Sequence, residues 1–94
     1  MNELLLLAPT DQIAVAVRDI EPGETVAVPN GTQIIARSRV PFGFKIAIRA
    51  IATEEKVFKY SVPIGTATVP IGPGELVHLH NLRSDYIATR RERS

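Results

Sequence analysis

The sequence predicts a small all-β domain, and three observations support this fold class. Apolar residues alternate with small or charged residues in short runs, as in Ile13–Arg18 and Lys45–Arg49, which is the period of a strand with one buried face. Seven prolines in 94 residues disfavour long helices. Turn-forming residues separate the runs at Pro9, Pro22–Gly23, Pro29–Gly31, Pro41–Gly43 and Gly72–Gly74. Short strands joined by tight corners are typical of a compact sandwich, barrel or clip of bent hairpins.

The remaining elements follow from the same patterns. Further short strands are predicted at Gln33–Ala36, Val57–Tyr60 and Pro63–Ala67. The C-terminal stretch is different, because Ser84 precedes Asp85–Arg91, where an acid comes first and arginines come last. That order favours a short capped helix. The chain is therefore divided into a β domain, residues 1–82, and a basic tail, residues 83–94.

An internal repeat supports the all-β prediction. Val17–Val26 recurs as Ile48–Val57 and, more loosely, as Thr68–Val77. Each copy keeps an isoleucine, a glutamate four residues later and a valine two residues after that. The repeated unit is interpreted as strand, tight corner, strand. It indicates an architecture rather than a set of repeated binding sites.

Composition excludes several classes of function. The net charge of +1 argues against a nucleic-acid or membrane-surface partner. No cysteine is present, which removes disulfides, thiolate metal sites and cysteine nucleophiles. The apolar run Leu4–Leu7 is too short for a signal sequence or a membrane span, so a cytoplasmic location is expected. There is no glycine-rich phosphate loop and no Ser-His-Asp constellation.

Both histidines lie in one short segment near the C-terminus. If Glu75–Asn81 is a strand, Val77 and Leu79 lie on one face, and His78 and His80 lie on the other with Leu76. An apolar face would anchor the strand and leave two imidazoles side by side. The pair is a candidate for two metal ligands or for proton transfer. The alternative is a pair of partly exposed structural histidines that bond to backbone or to a partner.

Cations on the predicted strands are candidate ligands for a carboxylate, which arginine binds in bidentate fashion. The candidates are Lys45, Arg49, Arg18 and Lys59. For each of them the alternative is a solvated cation on a strand surface. Asn81 is interpreted either as a cap on the strand end or as a residue that orients a histidine. Tyr60 is expected to be a packing residue with a solvated hydroxyl.

Together these segments resemble a known family, the small N-terminal domain of altronate and galactarate dehydratases. The resemblance covers roughly Asp11–Leu82 and also extends to the small subunit of sulfolactate sulfo-lyase. It implies a SAF-type domain with a β-clip fold. The segments that carry it are Val15–Ile20 with Gly23–Glu24, Pro41–Ala47, Lys59–Tyr60, Ile64–Thr68 and Gly74–Leu82.

One residue departs from the family pattern. The resemblance implies Gly-His-Lys where this chain has Gly43-Phe44-Lys45. Phenylalanine neither ligates a metal nor moves a proton, so any chemistry of that histidine is absent. Phe44 therefore indicates an altered substrate or a loss of the reaction.

The reaction implied by the resemblance is a β-elimination from a small hydroxy acid. A base removes the proton next to the carboxylate, and hydroxide or sulfite then departs. The resemblance also implies a divalent metal such as iron(II), for which His78 and His80 would supply an incomplete ligand set. Lys45, Arg49 and Asn81 are the predicted substrate-binding residues, and His78 and His80 are the predicted catalytic residues.

A chain of this size is too small to build a deep hydro-lyase pocket alone. We therefore interpret it as the small subunit of a two-component hydroxy-acid lyase, which completes a site on a large catalytic dehydratase-type subunit. The alternative is a non-catalytic SAF-type module that binds a small acid or a partner protein and whose histidines are structural.

Overall fold

The computed structural model describes residues 3–84. In this part of the chain all regular structure is β, which confirms the predicted fold class. The strands are β1 Leu4–Leu5, β2 Ile13–Ala16, β3 Thr25–Ala27, β4 Gln33–Ile35, β5 Lys45–Ala47, β6 Lys56–Lys59, β7 Val62–Ala67, β8 Leu76–Val77 and β9 Leu82–Arg83. The predicted helix over Asp85–Arg91 lies outside the described residues. Within residues 3–84 no helix has the length and apolar character needed to cross a bilayer.

The described strands form three small antiparallel sheets. The largest has the order β1-β2-β5-β8, and the others have the orders β3-β4 and β6-β7-β9. In the largest sheet Lys45 is paired with Val15 on one side and with Val77 on the other. This register places the start of β5 between β2 and β8. The sheet therefore carries Lys45 and the end of β8 to the same edge of the molecule.

The predicted repeat is real, and the described residues contain four copies of it rather than three. Each copy is anchored by a buried aliphatic residue in an isolated antiparallel bridge, which joins Ile20 to Val40 and Ile51 to Ile71. The predicted copies contain Ile20, Ile51 and Ile71. The additional copy, Arg37–Ile46, has Val40 as its anchor and was not recognised from the sequence. A tight corner and a strand follow each anchor, as the repeat predicted.

Carboxylates close three of the four corners. Glu24 accepts a hydrogen bond from the backbone N–H of Glu21 at 2.7 Å. Glu55 does the same for Ala52 at 2.9 Å. In the last copy, the carboxylate of Glu75 accepts from the N–H of Gly72 at 2.8 Å. The repeated glutamate therefore has a structural function, because it satisfies a corner amide that the strand ladder leaves unpaired.

The core is divided between the two pairs of corners. The first two copies surround one cluster of buried residues, which includes Ile20, Val26, Val40 and Ile46. The other two surround a second cluster, which includes Ile51, Val57, Ile71 and Val77. Each anchor and the residue six positions later are almost fully buried. Burial of these aliphatic side chains drives the folding of the repeat.

The predicted strand Glu75–Asn81 is wrong beyond Val77. The strand β8 ends at Val77, and the chain then forms a turn, in which the N–H groups of Asn81 and Leu82 both donate to the carbonyl of His78 at 3.1 and 2.9 Å. Leu79 does not share the buried face of Val77, because its side chain is 73% exposed. The alternation of apolar residues predicted a strand here, but hydrogen bonds between the Asn81 side chain and the backbone of His78 and Leu76 stabilise a turn instead.

The corner carboxylates make stability depend on acid pH. The hydrogen bond from Arg18 lowers the pKa of Glu24 below its ordinary 4.5, and the hydrogen bond from Gln12 lowers that of Glu55 in the same way. A carboxyl group whose pKa is lower in the folded state stabilises the fold above its unfolded pKa and loses this effect as pH falls. We expect the melting temperature to be constant near neutrality and to fall below about pH 4.5.

The matched control is the double variant Glu24→Gln/Glu55→Gln. Its melting temperature should be lower at neutral pH and should change less between pH 6 and pH 3, since two of the responsible carboxylates are gone. Equal acid sensitivity in the two proteins would contradict this assignment.

Candidate functional site

A cavity of about 320 Å³ lies beside the turn that follows β8. It is lined by Lys45, Lys59, Ile64, His78, Leu79, Leu82 and Ser84. Lys45 begins β5 and Lys59 ends β6, so the two lysines come from different sheets. The lining described here combines two ammonium groups, one imidazole and an apolar wall, with no acidic side chain. This combination suits a small anion that has an apolar or hydroxylated body.

Electrostatics in the cavity favour an anion. Lys45 is half-buried, and burial together with the nearby charge of Lys59 lowers the pKa of its ammonium group. Both effects penalise the charged form of Lys45. A bound carboxylate would stabilise the charged form of Lys45, because it would supply a negative charge that the described lining lacks. Burial and the neighbouring charge of Lys59 therefore make the charged form of Lys45 less favourable.

Asn81 builds the turn that presents His78. Its side chain is buried, with only 2% exposed. The Oδ1 atom accepts from the N–H of His78 at 2.9 Å, and Nδ2 donates to the carbonyl of Leu76 at 2.8 Å. Of the two interpretations from the sequence, the cap is therefore observed, and it fixes the backbone that carries the histidine. Binding of substrate by Asn81 stays a prediction.

Phe44 lies against His78 across the sheet. The two ring centroids are 5.1 Å apart and the ring planes are inclined by 56°. This tilted arrangement is one that aromatic pairs prefer. Because Lys45 is paired with Val77 in antiparallel register, the preceding Phe44 comes opposite the following His78. The residue that departs from the family pattern thus contacts a predicted site histidine.

The structure brings some of the predicted site residues together and separates others. Lys45, Lys59 and His78 share the cavity. His80 is exposed on the same turn but does not line the cavity. Arg49 lies elsewhere, donating to the carbonyl of Thr10 at 3.3 Å. The roles predicted for His80 and Arg49 stay predictions, without support from this cavity.

Arg18 and Tyr60 also lie outside the cavity lining. The guanidinium of Arg18 bonds to Glu3 at 2.6 Å and to Glu24 at 2.8 Å, which ties the N-terminal segment to the first corner. Tyr60 is 69% exposed and adopts a positive φ of 57° at the tip of the β6–β7 hairpin. The packing role expected for Tyr60 is therefore wrong, because most of the residue is exposed to solvent.

Two buried polar residues that sequence reasoning missed hold the strand that carries Lys59. Asp11 accepts from the backbone N–H of Tyr60 at 2.6 Å and of Ser61 at 3.0 Å. Gln12 donates to the carbonyl of Lys56 at 2.6 Å and accepts from the N–H of Phe58 at 2.9 Å. Their only sequence signal is that two adjacent polar residues directly precede a strand. The backbone groups to which they bond lie more than 40 residues away in the chain, so the sequence does not reveal these contacts.

The described residues do not complete a metal site. No group of three or more histidine, cysteine, aspartate or glutamate side chains is positioned to hold an ion in the part of the chain that the structure describes. His78 and His80 lie on one turn, and two imidazoles are fewer ligands than a divalent ion requires. The site of the predicted divalent metal is therefore not formed by this chain's described residues alone.

Comparison with known proteins finds a matching family model and similar curated proteins. Residues 2–85 match the family described as "Altronate/galactarate dehydratase SAF domain". Altronate dehydratase of Bacillus subtilis is 32% identical over 85 residues, and altronate dehydratase of Escherichia coli is 41% identical over 75 residues. The (2R)-sulfolactate sulfo-lyase subunit alpha of Chromohalobacter salexigens is 44% identical over 52 residues.

These relatives differ greatly in length. The matches cover 90% and 80% of this chain but only 17% and 15% of the two altronate dehydratases. For the sulfo-lyase subunit, the match covers 55% of each protein. The chain thus corresponds to a small part of the dehydratases that it resembles.

Proposed function

Because the chain belongs to the altronate/galactarate dehydratase SAF domain family, we propose that it is the small subunit of a two-component hydroxy-acid lyase. It completes an active site on a larger catalytic chain. The observation that carries the proposal is the cavity in which Lys45, Lys59 and His78 meet. The proposed reaction requires a place for an acidic substrate, and this cavity has the chemistry to bind one.

The lysines bind the carboxylate of the substrate. Two ammonium groups with no acidic neighbour in the described lining form charge-assisted hydrogen bonds to its oxygens. They also stabilise the negative charge that develops when the proton next to the carboxylate is removed. His78, which lines the same cavity, takes or returns a proton as general base or acid. The β-substituent then departs as hydroxide or sulfite.

A divalent ion, iron(II) among the candidates, belongs to the proposal as a group held mainly by the larger chain. His78 and His80 are the imidazoles that this chain would contribute, with the remaining ligands coming from the partner. The ion would stabilise the enolate charge as a Lewis acid.

A larger partner also accounts for the shape of the site. The cavity is a surface recess, and the exposed Leu79 stands on its wall. Elimination chemistry benefits from the exclusion of water, which this small domain does not provide by itself. The two dehydratases that contain a matching segment are several times longer than this chain.

The alternative function is a non-catalytic module that binds a small acid or a partner protein. Phe44 favours it, since an apolar ring occupies the position beside His78 where the family pattern has a histidine. In this alternative the lysine cavity still binds an anion, but no bond is broken.

Reconstitution separates the two functions. The purified chain, the large dehydratase-type chain that co-purifies with it, and their mixture are each assayed with altronate and with (2R)-sulfolactate. We expect turnover only in the mixture. Turnover by this chain alone, or full turnover by the large chain alone, would refute the proposed role. Stable association with no effect on turnover would favour the non-catalytic module.

Substitution of the histidines tests their part in the reaction. His78 and His80 are exposed, so His78→Ala and His80→Ala should change the free energy of unfolding by only about 0.5 kcal/mol. We expect His78→Ala to reduce turnover of the mixture about 100-fold or more, the usual effect of losing a general acid or base. His80→Ala should also reduce turnover of the mixture, because His80 is proposed as a ligand of the ion that the larger chain holds. Full turnover with His78→Ala would remove this residue from the site.

A further inference from the structure

Position 44 differs from its equivalents in the other three corner units. In those units a glutamate accepts a hydrogen bond from the N–H three residues before it, as Glu75 does from Gly72. In the second unit the residue three before Phe44 is Pro41, which has no N–H. A carboxylate at position 44 would therefore have no corner amide to bind. Because of Pro41, the residue at position 44 is not needed to accept a hydrogen bond from the corner backbone, as the glutamates of the other units do.

The side chain of Phe44 contacts a residue that lines the cavity. Phe44 is partly buried against the first core cluster, which fixes its ring. That ring contacts the imidazole of His78 at a centroid separation of 5.1 Å. Phe44 does not line the cavity, whereas His78 does. The phenyl ring therefore supports the imidazole from outside the cavity.

We propose that Phe44 is the positioning residue for His78 and holds its imidazole at the edge of the lysine cavity. The hydrogen bond from the His78 N–H to Asn81 fixes the backbone, and the phenyl contact restricts the side chain. Since a phenyl ring has no hydrogen-bonding nitrogen or oxygen, it leaves both imidazole nitrogens available to a ligand. The role in anion binding rests on the proposed function, but the positioning of the ring does not.

The test compares Phe44→Leu with Phe44→Tyr. Leucine keeps apolar contact with the core but removes the aromatic ring, and tyrosine retains the ring. Phe42→Leu is the matched control, because Phe42 is 67% exposed on the same corner. The NMR signals of the His78 ring are recorded first without ligand and then during a titration with altronate.

Without ligand, we expect the His78 ring signals to move in Phe44→Leu and to stay near their original positions in Phe44→Tyr and Phe42→Leu. In the titration, Phe44→Leu should weaken altronate binding about 3- to 10-fold, the range expected for loss of one aromatic contact. In a His78→Ala background the same substitution should cause no further loss, because the two residues act together.

The reverse experiment remains informative if Phe44→Leu unfolds. His78→Ala changes an exposed residue, and it should shift the Phe44 ring signals. Unchanged Phe44 signals in that variant, or unchanged His78 signals in a folded Phe44→Leu variant, would overturn the positioning role. If the ring signals respond as expected but altronate binds neither the wild-type chain nor its assembly with the large chain, the positioning stands and altronate is excluded as the substrate.

Discussion

Lys45→Gln is expected to lower kcat/KM of the proposed two-chain lyase about 10- to 100-fold. The ammonium group of Lys45 lies in the cavity with Lys59 and His78, where it can form a charge-assisted hydrogen bond to the substrate carboxylate. Loss of one hydrogen bond to a charged group costs about 1.5–3 kcal/mol, which corresponds to this range. The measurement is kcat/KM with altronate for the mixture of each variant with the large chain.

Arg49→Gln is the matched control for Lys45→Gln. Both residues were predicted to bind substrate, but Arg49 bonds to Thr10 outside the cavity and should change kcat/KM much less. Thermal melts accompany the assays. Lys45→Gln should melt no lower than the wild type, because burial and the charge of Lys59 already penalise its ammonium group. A larger effect from Arg49→Gln would contradict the proposed site.

Gly74→Ala is expected to destabilise the fold by about 2–5 kcal/mol. Gly74 has a φ of +94°, a left-handed conformation that costs other residues about 1–2 kcal/mol. A Cβ atom here would also overlap the carbonyl oxygen of Ile35, which is backbone and moves only with its strand. Such overpacking adds about 1–3 kcal/mol. Chemical denaturation of the variant and the wild type measures the difference.

Gly23→Ala separates the two contributions. Gly23 has a nearly equal φ of +91°, but a Cβ atom there would meet nothing within 4 Å. It should therefore lose only about 1–2 kcal/mol. Equal losses at the two positions would show that backbone conformation alone decides the cost and that the contact with Ile35 does not matter.

Much of the fold could be predicted because its determinants are local. The glycines at Pro22–Gly23 and Pro73–Gly74 adopt the positive φ that such turns require, and a short strand follows each of them, at Thr25–Ala27 and Leu76–Val77. The repeat was detectable because a buried anchor and a corner glutamate recur at fixed spacing. The second copy escaped detection because Val40 replaces isoleucine and Phe44 replaces glutamate, so neither marker was present.

The candidate site was less predictable because it depends on distant contacts. Alternation in Glu75–Asn81 resembled a strand, and nothing local indicated that the Asn81 side chain would be buried and would bond to the backbone at Leu76 and His78. Lys45 and Lys59 were recognised as candidate cations. That they line one cavity could not be predicted, because it depends on the relative position of the two sheets that carry them. The buried Asp11, which holds the hairpin after Lys59, acts across 49 residues.

The central claim is that the cavity lined by Lys45 and Lys59 faces both the proposed large subunit and the substrate. Lysine footprinting is its most direct test. The chain has three lysines, Lys45, Lys56 and Lys59, and Lys56 does not line the cavity. Amines are labelled with an acylating reagent and located by mass spectrometry in the chain alone, in the assembly, and in the assembly with altronate. We predict that Lys45 and Lys59 are labelled in the chain alone, become protected in the assembly and are protected further by altronate, while Lys56 remains reactive. Equal labelling of Lys45 and Lys59 in all three states would contradict the account.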